Sequence, residues 1–565
     1  MPFSYLSSSG VFSIMGIESL PPEITDIICE QLPFECLHSV LCTCSGLYQS
    51  ALKLLWKHVN FSVHGVVGKT VSMNRIRLYE ANRSGSTLFP VEGKYYMPHT
   101  CSDFMSWDCS CVPGCVTLDD TSLPQLVKLA AMRGPENMPF CYIETLYLNL
   151  SNPYIWTDTF RHFHEYDVIS WDMQSWETTF NEMIVSRRYY IPYIIGLKLI
   201  PRYSPKLSEI RILVGFPRES FYSYPEYVQF LQALCQTFPR ACVCLNFGLI
   251  QAELPFLWDT MSPVLKLENV KELNMGAIKR DAFWEDLLYL SLDMPLLETF
   301  RANFNEWHLS EYHELSKFLK QFPRLQHLFI PGMFSVDLTW GWLPEQIQTL
   351  KLGMEDYDDY DEYDYEPYES DSDQDRPFRT YAKVTDLVYD GGMVNAKFDV
   401  EFPNVKHLQL GKAHQIYDLE KLILPCSRTL STLALHGSTY DSVCGCLGLV
   451  DSLEILVVSK VADSRGDDWH YVEEMIPDLI RIKIKCLYLD FSPFRTVSIT
   501  DALKCLTGRL DHLEQLYFEV PEQDVPALEA LGMDKRLSTF CGVCNFPSTN
   551  RHHRGLAIAK SYRRG

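Results

Sequence analysis

The chain has 565 residues, too many for one compact core, so it divides into several domains or a repeat array. Its hydrophobic content of 47% and aromatic content of 13% fit a folded protein and exclude a wholly disordered one. A net charge of −22 repels phosphate backbones and argues against nucleic-acid binding, and no run of about 18 apolar residues offers a transmembrane helix, so no membrane partner is expected.

Residues 1–16 contain no basic residue and no sustained apolar core, so they lack the parts of a signal peptide and read as a disordered leader. Residues 20–61, LPPEITDIICEQLPFECLHSVLCTCSGLYQSALKLLWKHVNF, then hold three amphipathic helical patterns. Pro21 and Pro22 open the first, where a missing N–H costs least. Ile24, Ile27, Ile28 and Leu32 give it one apolar stripe, and Pro33 ends it. Leu37, Val40, Leu41 and Cys44 form the second stripe. Leu47, Ala51, Leu54 and Leu55, after Ser45-Gly46, form the third, with Trp56 directly behind. A unit this small cannot bury three stripes by itself, so it needs a partner surface, from the rest of the chain or from another protein.

This stretch also resembles the F-box motif, through Leu20-Pro21, Glu23-Ile24, Ile27, Leu32, Leu37, Cys44, Leu47-Tyr48, Ala51 and Leu54-Leu55-Trp56-Lys57-His58-Val59. The ending LLWKHV is similar to fungal members; Tyr48 behind Leu47 is a departure from the family's aromatic position. The resemblance implies a three-helix F-box over 17–61 that binds the Skp-type adaptor of a cullin-based SCF ubiquitin ligase. Leu20, Pro21, Ile24, Ile27, Leu32, Leu37, Val40, Leu41, Leu55 and Trp56 would form the adaptor surface and its support. Spacing alone implies only docking, and a helical hairpin capping the next domain is the alternative.

Residues 62–142 carry no clean repeat and read as an irregular joint. Over 143–545 the pattern h-x-x-L-x-h recurs, with h apolar. It starts at Ile143, Val270, Leu325, Ile347, Val384, Val405, Leu430, Leu453, Ile484 and Leu513, with weaker copies at Leu207, near Val243 and at Leu297. From Val270 on, the starts are 27, 28, 22, 37, 21, 25, 23, 31 and 29 residues apart. Each unit alternates like a strand, and amphipathic stretches such as 284–292, 312–322 and 472–480 lie between as helices. The fold class read from this is α/β: a leucine-rich-repeat-like solenoid with parallel strands on a concave face and helices outside. The layout resembles that of leucine-rich-repeat F-box proteins, although the asparagine that normally ends the strand motif is mostly absent.

The 37-residue interval holds an insert, EDYDDYDEYDYEPYESDSDQD at 355–375, with twelve acids, five tyrosines and no base. Like charges cannot be buried together, so it is expected to be a disordered loop, either a solvated spacer or an electrostatic bait for a basic partner. Residues 546–565 are locally basic, with Arg551, Arg554, Lys560, Arg563 and Arg564, and read as a disordered tail.

No constellation specifies catalysis. Gly68-Lys69-Thr70 ends like a phosphate loop, but Val63 stands where the signature needs glycine. Cys101, Cys109, Cys111 and Cys115 with His99, and Cys541 and Cys544 with His552 and His553, have the residue types of zinc ligands, but the first group matches no common zinc spacing. Nineteen cysteines, many of them inside apolar patterns, read as reduced thiols of a cytoplasmic or nuclear protein. The expectation is a non-catalytic substrate receptor without cofactor. It would reach the Skp-type adaptor and cullin scaffold through the F-box and an unidentified protein target through the repeats; a ubiquitin-independent scaffold is the alternative.

Overall fold

The computed structural model describes residues 20–32, 34–62, 116–118, 123, 126, 129–130, 134, 138–150, 159, 162–163, 178, 190–214, 235–239, 241–246, 265–278, 292–304, 311–331, 343–353, 379–390, 400–411, 413, 416, 419–459, 470–490, 509–510, 515–520 and 556–561. The chain divides into two compact units, one formed by 1–80, 112–252 and 265–270, the other by 81–111, 253–264 and 271–565.

The first unit opens with the three expected helices, α1 (Pro22–Glu30), α2 (Phe34–Thr43) and α3 (Tyr48–Leu55). The Pro21 carbonyl starts α1 by accepting from the N–H groups of Ile24 (3.0 Å) and Thr25 (3.1 Å). A 3₁₀ turn, Ser45–Leu47, leads into α3. Cys29, Leu37, Leu47, Ala51 and Leu55 form their common core, with Ile28, Leu32, Val40, Leu41, Cys44, Leu54 and Trp56 half-buried against it.

Strands follow: β1 (His58–Ser62), β2 (Val116–Leu118), β3 (Thr145–Leu150), β4 (Glu209–Val214) and β5 (Cys242–Asn246). They lie in the order β2-β1-β3-β4-β5, all parallel. Helix α4 (Ile191–Tyr203) is apolar nearly all round, and its buried Ile191, Ile194, Ile195, Leu197 and Leu199 explain why. Gly196 sits where a Cβ would come within 3.0 Å of the Phe61 ring of β1.

Two expectations change here. The array begins earlier than the repeat pattern suggested, because His58–Ser62 is already a strand and Val116–Leu118 pairs with it inside the supposed irregular joint. Trp56-Lys57-His58-Val59-Asn60-Phe61 is itself an h-x-x-h-x-h copy, with valine in place of leucine. The rest of residues 63–115 lies outside the described residues, as do the leader and the insert 355–375.

The second unit carries β6 (Val270–Ile278), β7 (Thr299–Phe304), β8 (His327–Pro331), β9 (Thr349–Gly353), β10 (Asp386–Asp390), β11 (His407–Gly411), β12 (Thr432–His436), β13 (Ile455–Ser459), β14 (Cys486–Asp490), β15 (Gln515–Val520) and β16 (Leu556–Ser561). Neighbours in sequence are neighbours in the sheet, and all pair in parallel except β15 with β16. The antiparallel β16 lies within the stretch expected to be a disordered tail. It pairs with β15 in register from Leu556 opposite Val520 to Ser561 opposite Gln515. Between the strands lie α5 (Glu311–Lys320), α6 (Leu419–Ile423), α7 (Tyr440–Leu449) and α8 (His470–Ile482). Helices α5 and α8 fall where 312–322 and 472–480 predict them; 284–291 lie outside the described residues.

The leucine column of the repeat is the core. Leu273, Phe300, Leu328, Leu350, Leu387, Leu408, Leu433, Leu456 and Leu487 are directly paired neighbours and each is at most 1% exposed. Helix α5 covers this face, its Phe318 ring meeting Phe300 edge-on at 5.4 Å. There the strand buries alternate residues under its own connection. Apart from β2, which lies outside β1, and the antiparallel β16, the strands are parallel and follow sequence order, an α/β arrangement compatible with a solenoid.

A polar side chain one position before the first apolar residue of several units ties neighbouring turns together. Asn269 donates its amide to the carbonyls of Cys235 (3.2 Å), Phe238 (3.0 Å) and Ala241 (3.2 Å). Gln346 donates to Phe322 O (3.1 Å) and Asn404 to Ala382 O (2.7 Å). The Thr429 hydroxyl lies 3.0 Å from both Pro403 O and Val405 O. Each ties the turn before one strand to the turn before the previous strand. The backbone adds a second tie: Glu298 O accepts from Gln326 N (2.8 Å) and His327 N (2.9 Å), and the carbonyls of Gln326, Gln348, Thr385, Lys406, Ser431 and Glu454 repeat this. Turns of a parallel sheet bury carbonyls with no partner inside the turn, and these ties satisfy them.

Candidate functional site

Two surfaces combine exposed or polar groups in a way that packing alone does not explain. The first is the outer side of the helical module. Helix α1 turns Thr25 and Cys29 inward, where Thr25 Oγ1 meets Ser50 Oγ of α3 at 2.9 Å. Asp26 is pinned to Lys53 of α3 at 2.7 Å, and that bond holds its carboxyl below the usual range while raising the Lys53 ammonium. These ties fix the outward rotation of α1, leaving Ile24 at 42% and Ile27 at 54% exposure, and Tyr48 at the start of α3 at 43%. The other large exposed hydrophobics among the described residues, Leu129, Leu424 and Ile480, are scattered.

The ten sequence-predicted residues therefore separate. Pro21, Ile24 and Ile27 face solvent; Leu20, Leu32, Val40, Leu41 and Trp56 are half-buried; Leu37 and Leu55 are interior. Trp56 has a second contact. Its ring stands edge-on to Phe140 with centroids 6.3 Å apart, while the same side chain packs on the module core. Tyr142 Oη donates to Gln49 of α3 at 3.1 Å, and Lys57 pairs with Glu144 at 3.4 Å. Only two residues separate α3 from β1, so the module is joined directly to the first strands. His58 lies at this joint with its Nδ1 buried and unbonded, and burial holds its pKa down at about 4.

The second surface is the face of β6–β11 opposite the leucine column. Glu272 meets Arg301 Nε at 3.0 Å, and the guanidinium lies 4.2 Å over the Phe329 ring. Lys351 follows Phe329 in register. In the adjacent row, His327 Nδ1 and Thr349 Oγ1 are 3.0 Å apart, and Thr385 donates to Asp386 Oδ2 at 2.6 Å, with His407 directly opposite Asp386. Burial lowers the pKa of His327, aided by Arg301 and opposed by Asp386, Glu298 and Glu272. Burial likewise lowers that of His407, against Asp386. Both imidazoles are therefore neutral at neutral pH. Gln409 keeps a buried Oε1 without a hydrogen bond. Further along, the same face turns apolar, with Ala434, Ile455, Val457, Cys486 and Tyr488 all at 5% exposure or less.

Chemically this face presents held donors, acceptors and an aromatic ring, which is what recognition needs. Burial pushes the thiols of Cys235, Cys426 and Cys446 up to about 12 and Cys444 to about 11, so they stay protonated and unreactive. Among the described residues no group of His, Cys, Asp and Glu could hold a metal ion, and no helix is long and apolar enough to cross a membrane. Both cysteine groups singled out in the sequence lie outside the described residues. The polar ladder of Asn269, Gln346, Asn404 and Thr429 escaped the sequence reading, although each precedes an apolar repeat start and was visible by position. No protein-family model and no curated protein matches the chain.

Proposed function

We propose that the chain is the substrate-recognition subunit of an SCF-type ubiquitin ligase, working in the cytoplasm or nucleus. The F-box-like helices α1–α3 dock on a Skp-type adaptor and through it on the cullin scaffold. The strand array, read as a leucine-rich-repeat solenoid, holds a protein target. The observation that carries the reading is the isoleucine pair of α1, kept outward by the Asp26–Lys53 and Thr25–Ser50 ties in a stretch with the F-box residue order. Such ties order an apolar surface that is left exposed among the described residues, as a docking site requires. The chain supplies no nucleophile in this scheme. It raises the local concentration of target beside the charged enzyme, so transfer becomes effectively intramolecular. The direct joint at Trp56 and Phe140 ties the module to the first strands of the array.

The same joint favours a second reading, in which the module caps the end of the array in a scaffold that works without ubiquitin. One binding measurement separates the two. Purified adaptor should be retained by the full chain, and Ile24→Asp with Ile27→Asp should abolish retention without lowering the melting temperature. Loss of folding in that double variant with no adaptor binding by the parent chain supports the cap and ends the ligase reading.

A further inference from the structure

The strand order of the sheet ends on β16, and no strand lies beyond it among the described residues. An edge strand carries a row of backbone N–H and C=O groups with which another chain can pair. The other end of the order is β2, whose three residues offer little to pair with. β16 is six residues long, so shortness does not protect it.

Register shows what does. Two apolar rows cross the last parallel strands. One passes through Leu433, Leu456, Leu487 and Leu516, the other through Leu435, Val458, Leu489 and Phe518. Leu456 and Leu487 are fully buried, and Val458 and Leu489 are at most 3% exposed. β16 continues the second row with Ile558, directly opposite Phe518. It ends the first row with Lys560, directly opposite Leu516. Residues directly opposite in an antiparallel pair share one face of the sheet. Lys560 therefore occupies a position on the face of the leucine column, and a charge at an inward position is one of the devices that blunt an edge.

Two copies joined through β16 would pair antiparallel about a two-fold axis. Because successive residues alternate between faces, like face meets like face only when both paired residues have even numbers or both have odd ones. In every such register within the strand, Lys560 falls opposite Leu556, Ile558 or Lys560 of the other copy. A lysine set against an apolar residue loses water without a partner, and a lysine set against its own copy is repelled.

We propose that β16 is the edge guard of the array: Lys560, at a leucine-column position of the outermost strand, keeps a second copy of the chain from extending the sheet. The idea is independent of the ligase reading.

Sedimentation velocity on the full chain tests it. Lys560→Leu continues both apolar rows and should dimerise at least about tenfold more tightly than the parent. Lys560→Glu keeps a charge at the position and should stay as monomeric as the parent. Lys560→Thr, uncharged and suited to a strand, should fall between, and it decides the matter if the leucine variant precipitates. Hydrogen exchange read by mass spectrometry should slow at 556–561 in the dimer and stay unchanged in the interior strand β14. Equal self-association of parent, leucine and threonine variants, dimerisation of the glutamate variant, or a dimer whose 556–561 amides exchange as in the monomer overturns the proposal.

Discussion

The helical module and the strand array dispose of their apolar residues in opposite ways. In the array, a leucine column forms the core, and Leu350, Leu408 and Leu433 are each fully buried. In the module, one small core around Cys29, Leu37, Leu47, Ala51 and Leu55 uses up the inner faces, and Ile24 and Ile27 are left outside. The difference is one of size. A parallel sheet covers each new strand with the next connection, whereas three short helices have more apolar stripe than facing surface. Apolar residues in the array's column are thus core, whereas Ile24 and Ile27 of the module stay exposed.

The sharpest contrast is in truncation. Leu433→Ala should cost about 3–4 kcal/mol, since Leu433 is fully buried between paired Leu408 and Leu456. Urea unfolding followed by circular dichroism measures it, and a cost under about 1 kcal/mol would deny the leucine column its role as core. Asn269→Ala should cost about 2 kcal/mol, because three carbonyls of the preceding turn lose one shared donor; Asn269→Gln should not recover it.

At the joint between the two regions, His58 gives a pH dependence. Its folded pKa of about 4 lies below the ordinary 6.5, so the unfolded chain binds the extra proton between these values. The stability owed to a neutral His58 is complete above pH 6.5 and lost as pH falls toward 4. Allowing for partial exposure the loss is roughly 2 kcal/mol. The difference in urea midpoint between the parent and His58→Gln should therefore shrink or reverse from pH 7 to pH 4.5.

Smaller effects probe surfaces. A Cβ at Gly445 or Gly448 of α7 meets nothing within 4 Å, so alanine at either should stabilise by about 0.5–1 kcal/mol in a thermal melt. Ile27→Ser should change stability by less than about 0.5 kcal/mol. If Ile27→Ser instead cost as much as Leu433→Ala, the two regions would not differ, and the outer face of α1 would be core.

The sequence made the column of h-x-x-L-x-h starts legible, because alternation in a strand is local and each leucine announces its own burial. Ile143, Val405 and Leu453 mark their strands without reference to anything distant. It failed at β1, since Trp56 to Phe61 also closes the F-box resemblance, and one segment serves both patterns. It also could not divide the module's ten candidate residues. Ile27 and Ile28 are adjacent on the helix and chemically identical, yet Ile27 is exposed while Ile28 packs on the core.

Composition and periodicity alone determined that the chain is a repeated α/β array behind a small apolar helical unit, because burial of alternating residues needs only local order. Which isoleucines face outward, which turn carbonyls find Asn269, Asn404 or Thr429, and which residues gather beside Arg301 were decided by tertiary structure. Each of these depends on how strands and helices far apart in sequence are set against one another, and no local pattern encodes that distance.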